Sequence, residues 1–207
     1  LSRLEELQDG KRFFTLKPRD LDRINPNTRM CPLFRNRRDA KLVARFHEEY
    51  PVLVNEGKTD PFGVKFVRVF RLDEDIKSFK KARELEEMGC KLTSNRYVRG
   101  DEIWLPLYED SMIQQYDHRY GTFKEEGECE VLDKDSQQSK NLLALPRYWV
   151  QQEEVKKRAG MDGSWLVCRR RGGIEGSRRL VATIITNAAI DRSLFAVQGG
   201  TAVASAL

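Results

Sequence analysis

Short apolar runs, each bounded by polar or glycine-rich sequence, constrain the fold of this chain more than any other feature. The runs over residues 63–72, 103–108, 165–171 and 180–186 are rich in β-branched and aromatic side chains, a composition typical of β-strands. None approaches the roughly 18 consecutive apolar residues that a membrane-spanning helix needs. We therefore expect a sheet-containing protein that has no membrane partner.

Helical patterns lie between these runs. Asn36 is a favourable N-cap for a helix that Pro51 ends, and the apolar positions between them recur at helical spacing. Apolar residues spaced by three from Ile76 to Met88 predict a second amphipathic helix, which Gly89 ends. Further predictions are a helical turn at 18–24, a short buried strand at 52–54, a helix beginning at 109 and a charged helix at 151–159.

The order of these elements predicts an α+β fold. A helix-and-strand lobe is expected over residues 1–123, and a small β-rich lobe over residues 142–207, where the last two strand runs form an arginine-rich hairpin. Residues 124–141 between the lobes are acidic and contain few apolar side chains, so a flexible surface loop is predicted there. We interpret the β-rich lobe as truncated at its C-terminus.

Basic side chains are concentrated towards the two ends of the chain, which has a net charge of +5. Residues 11–46 carry eleven basic side chains against three acidic ones, and residues 164–207 carry six against two. Residues 121–140 reverse the balance, with three basic and six acidic side chains. This distribution is typical of a surface that follows nucleic-acid phosphates, although a solvated charged face explains the charges equally well.

No catalytic or metal-binding pattern is recognisable in the sequence. The four cysteines lie far apart along the chain, whereas zinc sites usually take their ligands in close pairs. No glycine-rich turn offers a cradle for the phosphates of a cofactor. We therefore predict no catalytic residue and no metal site in this chain, and reduced thiols typical of the cytoplasm.

Three ordered segments of the chain resemble a known family. They are residues 24–40 (INPNTRMCPLFRNRRDA), residues 105–120 (LPLYEDSMIQQYDHRY) and residues 145–150 (LPRYWV), the last followed by Trp165 and the arginine-rich hairpin. Each is similar to a segment of the large adenine-N6 DNA methyltransferases of restriction–modification and phage-defence systems, including the DISARM and BREX types. Their order and approximate spacing agree over roughly residues 20–190, which is most of the chain.

The resemblance implies a parent enzyme that uses S-adenosylmethionine to methylate adenine within a defined DNA sequence. This chain corresponds to its target-recognition region, which binds double-stranded DNA beside the catalytic domain of the same polypeptide. Such enzymes use an Asn/Asp-Pro-Pro-aromatic loop to hold the flipped base, but here Asn27 and Thr28 replace the second proline and the aromatic residue. We therefore expect this chain itself to bind no cofactor. Asp110 and Ser111 replace the family's Gly-Lys pair, and the hairpin also differs, so the target sequence does not transfer.

Basic and aromatic side chains of the basic stretches and family-like segments are the predicted DNA contacts. Those at the helix start after Asn36 are expected to hold phosphate, because free backbone N–H groups there also attract anions. In the hairpin, a strand would place Arg169 and Arg171 on one face and Arg170 on the other, and one of these faces is expected to reach base edges. The predicted contacts are Arg35, Arg37, Arg38, Lys65, Arg68, His118, Arg119, Arg147, Tyr148, Trp149, Arg169, Arg170, Arg171, Arg178 and Arg179.

Other interpretations of the same residues stay open. Tyr148 and Trp149 are also compatible with a position in the core, and His118 with a buried structural network. The chain as a whole is compatible with a stand-alone regulatory module that binds nucleic acid, including RNA. A metal-dependent nuclease built from scattered carboxylates such as Asp60 and Asp73 is a third class.

Overall fold

A computed structural model of the protein describes residues 14–34, 36–56, 62–124, 127–133, 135, 139, 142–159, 163–171 and 180–199. The chain divides into two compact units, one formed by Leu1–Lys65 with Gly199–Leu207 and the other by Phe66–Gln198. Within the described ranges, no helix is long and apolar enough to cross a membrane.

The fold is α+β, as the sequence predicts, and its sheets are built largely from antiparallel strand pairs. In the described part of the chain the helices are α1 (Pro18–Ile24), α2 (Arg37–Glu49), α3 (Leu72–Asp75), α4 (Ala82–Glu87) and α5 (Gln152–Ala159). Short 3-10 turns lie at Ile76–Ser78 and Asp110–Met112. The strands are β1 (Lys65–Val67), β2 (Phe79–Lys80), β3 (Lys91–Thr93), β4 (Arg96–Arg99), β5 (Glu102–Tyr108), β6 (Gly121–Phe123), β7 (Cys129–Val131), β8 (Trp149–Gln151), β9 (Ser164–Arg169), β10 (Ala182–Thr186), β11 (Ala189–Ile190) and β12 (Leu194–Gln198).

The smaller unit contains α1 and α2. The predicted cap of α2 is confirmed: the side chain of Asn36 accepts a hydrogen bond from the backbone N–H of Asp39 at 2.9 Å. The apolar stripe of this helix is only partly covered. Ala40 is buried, but Phe46 is 54% exposed and Tyr50 is 49% exposed. Most of the protein's core therefore lies in the larger unit.

The larger unit contains a six-stranded sheet whose central strand is β5. The strands follow the order β2-β8-β5-β4-β3, and β11 pairs in parallel with the C-terminal end of β5, where Ala189 lies opposite Leu107. The neighbours β4 and β8 are both antiparallel to β5. Because β5 has neighbours on both sides, its run from Trp104 to Tyr108 is buried throughout.

A second sheet has the order β1-β12-β9-β10. The predicted hairpin is confirmed, because β9 and β10 pair antiparallel with Val167 opposite Thr183. Strand β12 pairs antiparallel with the other edge of β9. Side chains from both sheets, including Trp165, Leu107 and Leu194, form one hydrophobic core.

Two predicted helices are wrong. The residues from Ile76 to Met88 form a 3-10 turn, the strand β2 and then the short α4, because Phe79 pairs with Val150 and is buried. The energy of this sheet pairing exceeds the weak helical preference of a short segment. After Glu109 the chain forms only a single 3-10 turn, and Tyr116 has a positive φ of 64°, which an α-helix does not accommodate.

Other predictions fail in the segments with the weakest apolar signals. Residues 52–54 are irregular, not a strand, and the strand predicted at 63–72 extends only over Lys65–Val67. The acidic segment, residues 124–141, includes β7, which pairs with β6 through backbone hydrogen bonds. The side chains of β7 did not indicate this pairing. Strands β11 and β12 were not predicted, because each apolar run is very short.

The structure also divides the chain differently from the predicted lobes. The six-stranded sheet pairs β5, which precedes residues 124–141, with β8 and β11, which follow them. Strands from both predicted lobes thus belong to one hydrogen-bonded sheet. The boundary between the compact units lies instead near Lys65.

Candidate nucleic-acid interface

Six arginines meet in one cleft of the larger unit, which we call the arginine cleft. Its volume is about 730 Å³ and its apolar floor includes Phe70 and Leu72. The sheet order β1-β12-β9 explains the meeting, because it brings the ends of three strands together from distant parts of the sequence. The lining arginines are Arg68, Arg71, Arg158, Arg170, Arg171 and Arg192. Four carboxylates also line it: Glu74, Asp75, Asp110 and Asp191.

A rigid turn between β11 and β12 forms one wall of the arginine cleft. Asp191 is 4% exposed, and its carboxylate accepts hydrogen bonds from both the backbone N–H and the hydroxyl of Ser193. The hydroxyl of Ser193 accepts from the backbone N–H of Asp110 at 2.8 Å, and its carbonyl accepts from that of Arg170 at 2.8 Å. Burial raises the pKa of Asp191, although the bonds from Ser193 oppose that shift. This network fixes the backbone at which Arg170 enters the cleft.

Three of the six arginines form ion pairs with carboxylates of the acidic helix α3. Arg158 lies 2.7 Å from Asp75, and Arg192 lies 3.0 Å from Asp73. Arg71 lies 2.6 Å from Glu74 and 3.3 Å from Asp73.

The carboxylate of Asp75 is held in its charged form by these contacts. Desolvation acts to raise its pKa, but the hydrogen bonds from the backbone of Arg71 and from Arg158 outweigh it, so the pKa lies below its ordinary value. Arg158 also packs over the ring of Phe70 at 4.7 Å, which fixes its guanidinium against the floor of the cleft. The paired arginines are therefore structural elements of the cleft in this conformation.

The other three arginines of the cleft have no carboxylate partner among the described residues. Arg170 and Arg171 are exposed and follow directly after β9. Arg68 follows β1 and is held by its guanidinium over the ring of Phe195, at 5.3 Å. These three, all predicted from the sequence as DNA contacts, are the cations that remain free to bind an anion.

Arg169 does not belong to this group. It is half-buried, and its guanidinium donates to the backbone carbonyl of Ile113. The predicted alternation of faces is wrong beyond Arg169, because β9 ends there and both Arg170 and Arg171 line the same cleft. A strand's alternation applies only while the strand continues.

Two aromatic side chains that were predicted to contact DNA lie in the core instead. Trp149 is 1% exposed and meets Tyr97 edge to face at 4.8 Å. Tyr148 is half-buried and packs 5.9 Å from Phe79. Trp149 is buried within a sheet strand, so its ring has no free face on which a base can stack.

Arg147 is exposed but already engaged. Its guanidinium lies 4.6 Å from the ring of Phe123 and 3.3 Å from the carboxylate of Glu109. Burial raises the pKa of Glu109 to about 7, against the opposing effect of Arg147. Both side chains lie outside the arginine cleft.

The remaining predicted contacts lie elsewhere. His118 and Arg119 line a second, smaller cleft of the larger unit. Arg37 and Arg38 are exposed in the first turn of α2, in the smaller unit, and Lys65 is exposed on β1. Arg35, Arg178 and Arg179 lie outside the described residues.

The paired arginines of the arginine cleft were hard to predict from the sequence. Arg158 and Arg192 stand in a charged helix and in a short turn, where single arginines are usually solvated. The one available signal was the acidic run at 73–75 beside Arg71, which needs nearby cations to be stable. The described residues contain no group of histidine, cysteine or carboxylate side chains placed to hold a metal ion. Comparison of the chain with protein-family models, curated proteins and solved structures found no match.

Proposed function

We propose that this chain binds double-stranded DNA through the arginine cleft, as the target-recognition part of a site-specific adenine-N6 DNA methyltransferase. The observation that carries this proposal is the presence of Arg68, Arg170 and Arg171 in one cleft without carboxylate partners in the described residues. A guanidinium group offers planar paired donors that match phosphate oxygens, and it offers the same fork to guanine O6 and N7.

The paired arginines contribute less to binding than the free ones. Arg71, Arg158 and Arg192 are held near their acidic partners, which neutralise their charges, so the net positive potential of the cleft comes mainly from Arg68, Arg170 and Arg171. Because Arg170 enters from a backbone that Ser193 holds, this residue has less backbone freedom to lose on binding.

The methyltransferase assignment rests on the three family-like segments. Two of them contribute strands β5 and β8, which lie side by side at the centre of the main sheet. The resemblance therefore concerns the scaffold of the fold, whereas the arginine cleft is the part that we propose to contact DNA. In this proposal S-adenosylmethionine binds to the catalytic domain of the same polypeptide, and the enzyme works in the cytoplasm.

A salt titration tests the DNA-binding part of the proposal. Replacing Arg170 with Ala should weaken binding to random duplexes and reduce the slope of log K against log salt by about one unit, since one phosphate contact is lost. Arg83→Ala is the matched control, because Arg83 is exposed on α4 and lies outside the arginine cleft. Equal effects of the two substitutions would contradict the proposal.

Sequence reading requires the full-length polypeptide and its cognate DNA. A base contact by Arg170 or Arg171 should contribute about 1–3 kcal/mol on the cognate duplex and much less on random duplexes. If alanine at both positions weakens binding to the cognate and to the random duplexes by the same factor, the cleft contacts phosphate only.

The cofactor part has its own measurement. The full-length polypeptide should transfer a tritiated methyl group from S-adenosylmethionine to adenine in duplex DNA. This chain alone should neither transfer the group nor bind the cofactor in calorimetry. Stoichiometric cofactor binding by this chain alone would contradict the assignment.

A further inference from the structure

The second cleft of the larger unit has a different chemistry from the arginine cleft. Its volume is about 330 Å³, at the lower end of the roughly 300–1,000 Å³ typical of ligand pockets. It lies between the β3–β4 turn, the end of β5 and the segment that follows β10. A cleft of this size is too large for a lone inorganic anion to fill, and small enough to enclose one ligand of modest size.

Arg96 is the cation of the second cleft that has no partner among the described residues. It is half-buried and has no carboxylate or other acceptor there, whereas burial lowers the pKa of His118, which also lines the cleft, and so favours its neutral form. Arg119 is already engaged with the backbone carbonyl of Ser139 at 3.0 Å. A half-buried guanidinium without a partner favours an anionic ligand group.

The opposite chemistry is missing from this cleft. No acidic side chain is found among the lining residues that the structure describes. A ligand with a positively charged amine, such as an amino acid, would therefore find no carboxylate in this lining, and the adjacent Asp117 already accepts from the backbone N–H of Arg119. Any donor group on the ligand is thus expected to be neutral.

A buried acceptor at the cleft lacks a donor. The side chain of Asn95 hydrogen-bonds to the hydroxyl of Tyr108, while its own Oδ1 is buried and has no partner. Binding through this oxygen requires rotation about the terminal torsion of asparagine, which is broad, and the rotation releases the amide NH₂ from Tyr108. A neutral amino group on a ligand would satisfy this acceptor, which the described side chains do not.

The third wall is apolar and the rim is strained. Leu142, Leu143 and Ala144 line one side of the cleft and offer a surface for a flat apolar ring. Ser94 and Asn187, both lining residues, adopt positive φ angles of 55° and 48°. The positive φ of Ser94 follows from the two-residue turn between β3 and β4, in which Thr93 pairs with Arg96, and this turn holds Asn95 and Arg96 at the cleft.

We propose that the second cleft binds a single nucleotide that carries an exocyclic amino group. The phosphate would be bound by Arg96, the amino group by Oδ1 of Asn95, and the base would pack against Leu142 and Leu143. The same chemistry is presented by a free mononucleotide and by an unpaired nucleotide within a DNA strand. This proposal is independent of the arginine cleft and does not require the methyltransferase assignment.

Ligand pairs that differ by one group test each contact. Isotope-labelled chain is titrated with deoxyadenosine monophosphate, with the deoxynucleoside monophosphate of unsubstituted purine, which lacks only the amino group, and with deoxyadenosine, which lacks the phosphate. We expect each of the two incomplete ligands to bind about tenfold more weakly, with chemical-shift changes confined to the cleft. Equal affinity for all three ligands would overturn the proposal.

A second titration identifies the source of the nucleotide. An oligonucleotide duplex with one unpaired adenine is compared with the fully paired duplex, using protein that carries Arg170→Ala so that the arginine cleft contributes less. Preference for the unpaired base together with no binding of free nucleotide assigns the cleft to DNA. Saturable binding of the free nucleotide assigns it to the mononucleotide, and absence of both refutes the proposal.

A pair of arginines on β4 provides a matched control. Arg96→Gln should weaken nucleotide binding about tenfold, whereas Arg99→Gln should not, because Arg99 pairs with Glu102 at 2.8 Å outside the cleft. Asn95→Ala is a further variant, and it should remove the preference for the amino-bearing base while it leaves the phosphate contact. Unchanged affinity in folded Arg96→Gln would overturn the assignment of the phosphate contact.

Discussion

The arginine cleft and the second cleft differ in how their cations are balanced. The arginine cleft contains six arginines and four carboxylates, and half of its arginines are neutralised by the acidic residues around α3. The second cleft has fewer cations, no described carboxylate and a buried acceptor without a donor. The first arrangement suits a long polyanion bound through many weak, salt-sensitive contacts. The second suits one small ligand bound through directed hydrogen bonds.

The largest expected effect separates the two clefts by function. Simultaneous replacement of Arg68, Arg170 and Arg171 with Ala should lower duplex affinity about 100-fold at low salt and reduce the salt slope by about three units. Binding of deoxyadenosine monophosphate should stay unchanged. Electrophoretic mobility shift and calorimetry measure the two affinities.

A control variant removes the same charge elsewhere. Alanine at Arg83, Lys91 and Lys157 replaces three exposed basic side chains that line neither cleft. A comparable loss of duplex affinity in this variant would show that net charge, and not the cleft, determines binding.

A pH effect is expected at the segment that connects the clefts. Glu109 stands between Tyr108 of the second cleft and Asp110 of the arginine cleft, and burial raises its pKa from 4.5 to about 7. Because the folded pKa exceeds the unfolded one, the contribution of this group to stability is fully present below pH 4.5 and is lost as the pH rises through about 7. Glu109→Gln removes that loss, so the variant should gain about 1–2 kcal/mol on the wild type between about pH 5 and pH 8.

Urea denaturation at about pH 5 and about pH 8 measures the difference in the free energy of unfolding between the variant and the wild type. Glu87→Gln on exposed α4 is the comparison, because it replaces a carboxylate that lies outside both clefts. A Glu109→Gln curve parallel to that of the wild type would mean that this carboxyl is already charged at low pH.

A smaller effect concerns the paired arginines. Asp73 is the carboxylate partner of Arg192, whereas Arg71 also pairs with Glu74, so Asp73→Asn should release the guanidinium of Arg192 into the arginine cleft. Duplex affinity should then rise about 3- to 10-fold at low salt, with a salt slope about one unit steeper. Glu87→Gln changes the net charge equally and should produce a much smaller rise. If both variants gain the same affinity, the ion pairs of Asp73 do not restrain binding.

The smallest expected effect sharpens the contrast in backbone strain. Ser94 has a positive φ of 55°, whereas no described residue of the arginine cleft has a positive φ. Ser94→Gly relieves this strain and should stabilise the fold by about 0.5–1 kcal/mol in thermal denaturation. Lys91→Gly on the adjacent strand should instead destabilise it, since its φ needs no glycine. Destabilisation by Ser94→Gly would show that its side chain contributes more than the strain costs.

Local sequence rules determined the elements whose signals were strong. The cap at Asn36, the stop at Gly89 with its φ of 81°, the charged helix α5 and the β9–β10 hairpin were all predicted, because each depends on neighbours within a few residues. The order of the predicted helices and strands likewise determined the α+β class. These features follow from backbone preferences that act over one turn or one strand.

The three arginines of the cleft without a described carboxylate partner were also named from the sequence. Arg68, Arg170 and Arg171 were predicted as contacts because they stand in basic, strand-like stretches. The sequence also assigned that role to Trp149 and Arg169, which the structure places in the core and against the carbonyl of Ile113. Burial is not a local property, so exposed and buried arginines look alike in a sequence.

Only the tertiary structure decided which charges meet. Arg158 lies 83 residues from Asp75, and Arg192 lies 119 residues from Asp73, yet each pair is in contact. The sheet order β1-β12-β9 and the parallel pairing of β11 with β5 create these contacts. Strand order depends on the packing of the whole core, and a short run such as Ala189–Ile190 has no local pattern that specifies its partner. The division of the arginines into paired and free groups is therefore a property of the fold.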